Sequence, residues 1–285
     1  MGMNHIKIYF SVSLSVIFIV AFCATGDGQV QHGGKPFNIT TGLKGEDVLY
    51  ILPPPDPLEI EAKHIQNRTG GLKVLHYAIE RPVDISPEFH GSWIEHQGYR
   101  VWRVHIISPE AHSLGVIFDP YILNEGARLF LYDPEMKTIK GSFNVLNNKS
   151  FNILAVDHIT GDEIIVELQV PVEQDDYGEL KIMSLSHAFL QNCPGDFGCS
   201  QACEIDINCI EGNDWQKLKK SVIRIKTTTQ YCTGVLVNNS AYSGVPYVLT
   251  AEHCVNTPSR ASSALFIFNY ESETCFGCLL YTSPS

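Results

Sequence analysis

The sequence predicts an all-β protein, and three observations carry this prediction. Short runs rich in β-branched and aromatic residues recur from about residue 70 to 172, turn-forming residues separate them, and segments with helical periodicity are scarce. The 285 residues are 44% hydrophobic and 18% charged, a composition typical of globular proteins and not of disordered chains. We therefore expect a β-sandwich-like region that is followed by a second β unit.

Three runs define the strands of the sandwich-like region. Residues 99–107 are β-branched and aromatic, residues 128–132 are short and apolar, and residues 163–170 have an apolar side chain at every second position. This alternation predicts one core-facing side of the last strand. The residues on that side are Ile164, Val166, Leu168 and Val170.

The N-terminus is typical of an export signal. A weakly basic start precedes an apolar run over 8–22, and small residues follow at 24–26, so we assign 1–25 as a signal peptide. The run is shorter than the roughly 20 residues that span a bilayer. An uncleaved anchor and a lipid attached to Cys23 are the alternatives. No second apolar segment follows, so we expect no membrane contact after signal removal and a secreted, extracellular or periplasmic location.

The amino-acid composition indicates which partners the protein can bind and how its first residues after the signal are structured. The formal net charge of -11 argues against a nucleic-acid partner, which needs a basic surface. Residues 26–69 are rich in Gly, Pro and polar side chains up to about residue 60 and predict a loosely structured lead-in. The β-rich domain then covers 70–190.

The nine cysteines are unevenly distributed, which predicts a domain boundary near residue 190. One lies in the signal segment, none lies between 24 and 192, and the rest fall in the last third of the chain, where a second domain covers 191–277. Export makes disulfides the expected state of these thiols. A zinc site is the alternative, but the first four spacings lack the close Cys-x2-Cys pairs of zinc ribbons. The eight cysteines of the last third of the chain are Cys193, Cys199, Cys203, Cys209, Cys232, Cys254, Cys275 and Cys278.

The segment from Cys232 to Cys254 predicts a hairpin that positions a histidine. Residues 232–237 and 247–251 are strands, and a polar loop of turn-forming residues joins them. A Cys232–Cys254 disulfide would close the open end and hold His253 in one pose, which a general base requires.

Other histidines and aspartates carry no catalytic pattern. We interpret the histidines between 64 and 187 as surface or half-buried residues, and four aspartates as turn residues. The aspartates are Asp119, Asp133, Asp157 and Asp162.

The hairpin resembles the histidine box of the trypsin/chymotrypsin superfamily. The matching segments are Cys-Thr-Gly-Val-Leu-Val from residue 232 and Val-Leu-Thr-Ala-Glu-His-Cys up to residue 254. The resemblance implies that His253 is the base of a Ser/His/Asp triad. Glu252 stands where the usual form has Ala. The alternative is a plain hairpin with an incidental histidine.

A closer resemblance is to bacterial lysyl endopeptidases. It rests on Cys203-Glu-Ile-Asp-Ile-Asn-Cys209, on Gly212-Asn-Asp-Trp215 and on pro-region-like segments between 98 and 171. The resemblance implies a β pro-region and a double-β-barrel protease released near 195–200. It also implies protein or peptide substrates cut after Lys or Arg, and no metal or organic cofactor.

The same resemblance implies the disulfide pairing. Cys232 pairs with Cys254, Cys209 with Cys275, and Cys203 with a cysteine beyond this chain. Cys193 and Cys199 can pair with each other.

The triad is incomplete in these 285 residues. The resembling family places its triad Asp, its Gly-Asp-Ser-Gly-Gly segment and its second barrel after the histidine box, and this chain holds none of them. A base without a nucleophile has nothing to activate, so we expect no amidase activity from this polypeptide alone. Residues 278–285 do not continue the family pattern, and we interpret them as translated adapter sequence. A non-catalytic secreted homologue that acts as a binding module is the alternative function.

Overall fold

The computed structural model describes residues 30–37, 49–69, 74–190, 205–272 and 274–275. The predicted signal peptide, Cys193, Cys199, Cys203 and the segment 278–285 lie outside the described residues. In the described ranges the α-helices and β-strands are, in chain order, β1 (Leu49–Ile51), α1 (Pro57–Thr69), β2 (Leu75–His76), β3 (Ala78–Ile85), β4 (Ser92–His96), β5 (Tyr99–Ile107), β6 (Ser113–Leu123), β7 (Arg128–Tyr132), β8 (Ile139–Phe143), β9 (Leu154–Thr160), β10 (Glu163–Pro171), β11 (Gly178–Ala188), β12 (Val222–Lys226), β13 (Gln230–Val237), β14 (Tyr247–Thr250), α2 (Pro258–Ser263) and β15 (Leu265–Phe268).

Two sheets pack face to face and form the predicted sandwich. The first has the strand order β1-β5-β10-β7-β8, with β4 also paired to β5, and the second has the order β3-β11-β6-β9. One apolar core lies between them and includes Trp102, Phe118 and Phe143, all with no exposed surface. Side chains from the inner faces of both sheets fill this core, as in a β-sandwich. The prediction of an all-β fold is confirmed.

The three strand predictions are confirmed in type and in bounds. Strands β5 and β7 have the predicted limits, and β10 extends one residue further, to Pro171. The predicted inner side of β10 belongs to the sandwich core, and its four apolar residues are fully buried.

Part of the outer side of β10, at Glu167 and Gln169, is also buried, which these polar residues do not predict. Glu167 and Gln169 have no exposed surface because the extended segment 30–37 crosses over them. The amide of Phe37 donates to Glu167, and the Gln169 side chain donates to the carbonyl of Lys35. We call residues 30–37 the strap.

Helix α1 corrects the prediction of a loosely structured lead-in. It begins at Pro57, has Glu59 in its first turn and Arg68 in its last turn, and buries none of its residues. Proline at the first helical position and charges that complement the helix dipole stabilise such a helix. Because the helix has no buried face, it lacks the apolar periodicity by which a helix is usually detected.

Two of the four aspartates expected in turns lie within strands instead. Asp119 is part of β6 and Asp157 is part of β9, so the turn prediction is wrong for both. Asp133 does cap a turn, since its carboxylate accepts from the amides of Glu135 and Lys137. Asp157 tolerates a strand position because its carboxylate pairs with a buried lysine, described below.

The C-terminal residues form a separate five-stranded sheet. Its order is β14-β13-β12-β15, and β2 from the N-terminal part of the chain adds to β13. Its small core consists of Ile223, Ile225, Cys232 and Cys254, and Val74 packs against it. The boundary near residue 190 remains a prediction, and β2 contributes to the sheet on the far side of it. Of the helices within the described ranges, neither has the length and apolarity to cross a bilayer.

Candidate active site

The predicted hairpin is formed by β13 and β14. These strands pair antiparallel, with Gly234 opposite Thr250 and Val237 opposite Tyr247. Gly234 lies between neighbouring strands, where an added Cβ would come 2.8 Å from Ile225 Cδ1. A glycine at this point of β13 therefore lets the sheet pack tightly.

A disulfide closes the open end of the hairpin. The structure joins Cys232 to Cys254 with a Cα–Cα distance of 6.0 Å, and both residues are buried in the core of the sheet. The amide of Cys254 donates to the carbonyl of Ala251 and forms a tight turn at the end of β14. The turn contains His253, so a covalent bond and a backbone hydrogen bond fix the histidine backbone next to the sheet.

The imidazole of His253 faces solvent. The residue is exposed, and its ring makes no hydrogen bond to any other residue of the described ranges. A ring nitrogen lies within 4.8 Å of the sulfurs of Cys232 and Cys254. An accessible imidazole on a fixed backbone is suited to general-base chemistry once a nucleophile and an orienting carboxylate approach it.

Gln230 is a positioning residue that the sequence did not predict. It is buried at the start of β13, and its side-chain amide donates to the carbonyl of His253 at 3.2 Å. The same residue pairs through its backbone with His76 in β2. The turn that contains His253 is thereby coupled to a strand from the N-terminal part of the chain. A polar residue at a strand start gives no sequence signal of this contact, because its partner is 23 residues away.

The Cys232, His253 and Cys254 cluster has the ligand types of a zinc site. The two sulfurs, however, are joined in a disulfide. Zinc binds thiolates and not disulfide sulfur. In this oxidised state the cluster offers a metal only the imidazole, so its geometry favours a structural disulfide beside an exposed histidine.

A second disulfide ties the start of the C-terminal region to its end. Cys209 bonds to Cys275, and Lys219 bridges the same two segments through the carboxylate of Glu271 at 2.9 Å. The Lys219 ammonium also donates to Asn208. This connection holds residues 205–221 against β15 and its following loop.

Sequence patterns also missed a cluster of polar residues where the sandwich meets the C-terminal sheet. Lys226 pairs with Asp157 at 2.6 Å, and His158 and Tyr77 lie beside them. His158 is half-buried, as the sequence predicted, but the sequence did not predict its position at this contact. The signal that was available is a lysine that ends an apolar strand and must be paired where it is buried.

Residues 197–283 match the family model of the lysyl endopeptidase C-terminal domain. The match covers less than a third of the chain and contains the β13–β14 hairpin, His253 and both disulfides. It extends through residue 283, into the segment 278–285 for which the sequence predicted an artefactual tail, and that tail remains a prediction. The C-terminal region of this chain is therefore lysyl endopeptidase-like and protease-related.

Proposed function

We propose that this chain is the first part of a secreted serine endopeptidase precursor and that His253 is the general base of its triad. The observation that carries the proposal is the position of His253. It stands at the end of β14, beside the Cys232–Cys254 disulfide, within the region that matches the lysyl endopeptidase family model. A base of this kind needs a fixed backbone and an accessible ring, and His253 has both.

The proposed domain roles correspond to the two β units of the fold. Residues 70–190 form a β-rich pro-region, and residues 191–277 begin the protease domain. The triad Asp and Ser are encoded downstream in the proposed precursor. The substrates are proteins or peptides, cut after Lys or Arg, and neither a metal nor an organic cofactor takes part in the reaction.

The proposed location is extracellular or periplasmic. Two disulfides support it, because such bonds persist in oxidising compartments. The apolar run over 8–22 supports it as an export signal.

A non-catalytic binding module is the second candidate. The exposed aromatic and aliphatic side chains of the hairpin favour it, since Tyr242, Tyr247 and Leu249 are 81%, 49% and 62% exposed. In the proposed precursor, this surface would lie against the second barrel. In a binding module, it would face a ligand.

The deciding experiment is long-read sequencing of the coding locus past codon 277. A frame that continues to a triad Asp and a Gly-Asp-Ser-Gly-Gly segment supports the proposal. In that case, the extended protein with His253→Ala should lose at least about 10⁴-fold in kcat/KM on a lysyl peptide amide. A genomic stop codon directly after codon 285 would reject the precursor and favour the binding module. The 285-residue polypeptide itself should not cleave lysyl or arginyl substrates.

A further inference from the structure

The sandwich and the C-terminal sheet meet at a polar contact that we call the joint. It consists of Tyr77, Asp157, His158 and Ser186 on the sandwich side and of residues 226–231 on the sheet side. The amide of Tyr77 donates to the carbonyl of Thr229 at 3.1 Å, and the rings of Tyr77 and Tyr231 stack with centroids 4.2 Å apart. The joint therefore holds the turn between β12 and β13, directly before the strand whose Gln230 holds the carbonyl of His253.

Hydrogen atoms at the joint can be assigned from the donors that are available. The hydroxyl of Ser186 donates to the carbonyl of Thr228, and the hydroxyl of Tyr77 donates to that of Thr227 at 2.9 Å. Each hydroxyl has one hydrogen, so the Ser186 oxygen accepts from His158 Nε2 at 2.8 Å, and the Tyr77 oxygen lies 3.3 Å from the same nitrogen. Nε2 therefore carries the hydrogen.

The other ring nitrogen of His158 completes this assignment. Its Nδ1 lies 2.8 Å from the hydroxyl of Ser113. In the neutral tautomer with hydrogen on Nε2, Nδ1 accepts from Ser113. All four groups are then satisfied with the histidine uncharged.

The ring of His158 occupies a space that the fold leaves open for it. Gly115 lies alongside in β6, where a Cβ would come 2.6 Å from the ring. The charged groups that face the ring are Lys226 from β12, Lys140 from β8 and Asp157 from its own strand. Tyr77, before β3, and Tyr231, in β13, line the same contact. A positive charge on His158 would face two lysines and one carboxylate.

We propose that the joint is a pH-controlled latch, closed while His158 is neutral and opened when His158 is protonated in mildly acidic conditions. The latch would release the turn at 227–229 and with it the strand that positions His253. The inference goes beyond the proposed function, because it concerns the contact between the two β units and holds whether or not His253 is a catalytic base.

The electrostatics at the joint support the latch. Burial, and after it the charge of Lys226, hold the pKa of His158 well below its ordinary value, against the opposing effect of Asp157. A histidine whose pKa is lower in the closed state stabilises that state fully above the open-state value of about 6.5. This stabilisation is lost progressively as the pH falls below about 6.5. His76 in β2 acts in the same direction, because burial lowers its pKa as well.

Hydrogen exchange of the 285-residue chain between pH 7.5 and pH 5.0 tests the latch. After correction for intrinsic rates, protection of the Tyr77 amide should fall by about 30-fold, since only the open joint binds the proton. His187, whose pKa burial lowers to about 4, also lies inside the sandwich, so amides of β5, which exchange when the sandwich unfolds, should lose protection at low pH as well. The fall at Tyr77 is therefore assigned to His158 by variants of the histidines themselves.

Variants separate His158 from the other histidines. His158→Gln, which keeps a side-chain N–H and cannot be protonated in this range, should abolish most of the pH dependence at Tyr77. His112→Gln replaces an exposed histidine of the same unit and should leave the 30-fold fall unchanged. Retention of the full fall in His158→Gln, or equal protection at both pH values in the unmodified chain, would overturn the proposal.

A titration of the unmodified chain covers the case in which His158→Gln does not fold. The ring signals of His158, followed by NMR, should show no protonation above pH 5 while the Tyr77 amide stays protected. A His158 that titrates near pH 6.5 with the joint still closed would also reject the latch.

Discussion

The ammonium of Lys226 lies 2.6 Å from Oδ1 of Asp157 and joins the last residue of β12 to the middle of β9. Their side chains are 9% and 19% exposed, so this ion pair is largely withdrawn from water. Burial disfavours the ionised form of Asp157, yet the charges of Lys226 and then Lys140 hold its pKa far below the ordinary value. A pair of this kind contributes specificity of contact, because either charge left alone would be costly.

Asp157→Asn should lower the free energy of unfolding by about 3 kcal/mol, because Lys226 would stay buried without its carboxylate. Urea unfolding at pH 7 measures the change. The matched control is Asp84→Asn, which breaks an exposed pair with Lys181 and should cost less than about 1 kcal/mol. Equal losses in both variants would contradict a special role of the buried pair.

The pH dependence of this pair has a definite sign. Because the pKa of Asp157 is lowered in the folded chain, its contribution is fully present above the unfolded value of about 3.9. It is lost as the pH falls below that value. The loss therefore occurs at lower pH than the opening of the latch, and the two effects can be separated in one titration.

Glu167→Gln should release the strap. The carboxylate of Glu167 accepts from Arg103 Nε, the Tyr132 hydroxyl and the Phe37 amide at 2.7 to 2.9 Å. An amide in its place removes the charge opposite Arg103 and should cost about 3 kcal/mol. Hydrogen exchange at Phe37 and limited proteolysis within 30–37 measure the release.

Glu163→Gln is the control for the strap, because Glu163 lies on the same strand but is 39% exposed and pairs with His105. Its effect should stay below about 1 kcal/mol. If Glu167→Gln leaves the Phe37 amide as protected as before, the carboxylate does not hold the strap.

The sequence predicts best the features that depend on local patterns. Alternation in β10 identifies its core side, and β5 and β7 follow from their β-branched and aromatic content. The hairpin and the place of His253 follow from two short strands with a turn between them. The strand signals each lie within about ten residues, and the hairpin signal lies within the segment from Cys232 to Cys254.

Features that depend on distant partners could not be predicted. Aspartate is typical of turns, and the strand position of Asp157 is stabilised by Lys226, which lies 69 residues later in the chain. Glu167 is buried because the strap covers it from 130 residues away. Helix α1 buries nothing and so leaves no periodic signal. A single sequence does not identify the partners of such long-range polar contacts, although these contacts hold the two β units together.

Gly212→Ala should destabilise the start of the C-terminal region. A Cβ at Gly212 would come 1.9 Å from the carbonyl oxygen of Ile207, which is backbone and cannot move aside. Crowding of this kind costs about 1–3 kcal/mol. Asn213→Ala changes the exposed neighbour and should stay within about 0.5 kcal/mol. Thermal unfolding compares the two variants, and similar melting temperatures would show that the segment relaxes freely.

The two disulfides should differ in what their loss does to His253. In the chain-entropy relation, the separation of 22 residues between Cys232 and Cys254 corresponds to about 3.4 kcal/mol. The separation of 66 between Cys209 and Cys275 corresponds to about 4.3 kcal/mol. We therefore expect the Cys209→Ala, Cys275→Ala variant to lose more free energy of unfolding than the Cys232→Ala, Cys254→Ala variant, as measured by urea unfolding.

Only the Cys232→Ala, Cys254→Ala variant should also change the NMR signals of the His253 ring, because that bond fixes the turn after β14. The Cys209→Ala, Cys275→Ala variant is its control, since it removes the larger loop constraint at a site away from the hairpin. If both variants leave the His253 signals unchanged, the hydrogen bond from Gln230 alone is enough to hold the turn. The disulfide would then stabilise the fold without positioning the base, and the pose of His253 would depend on the contact that links β13 to the joint.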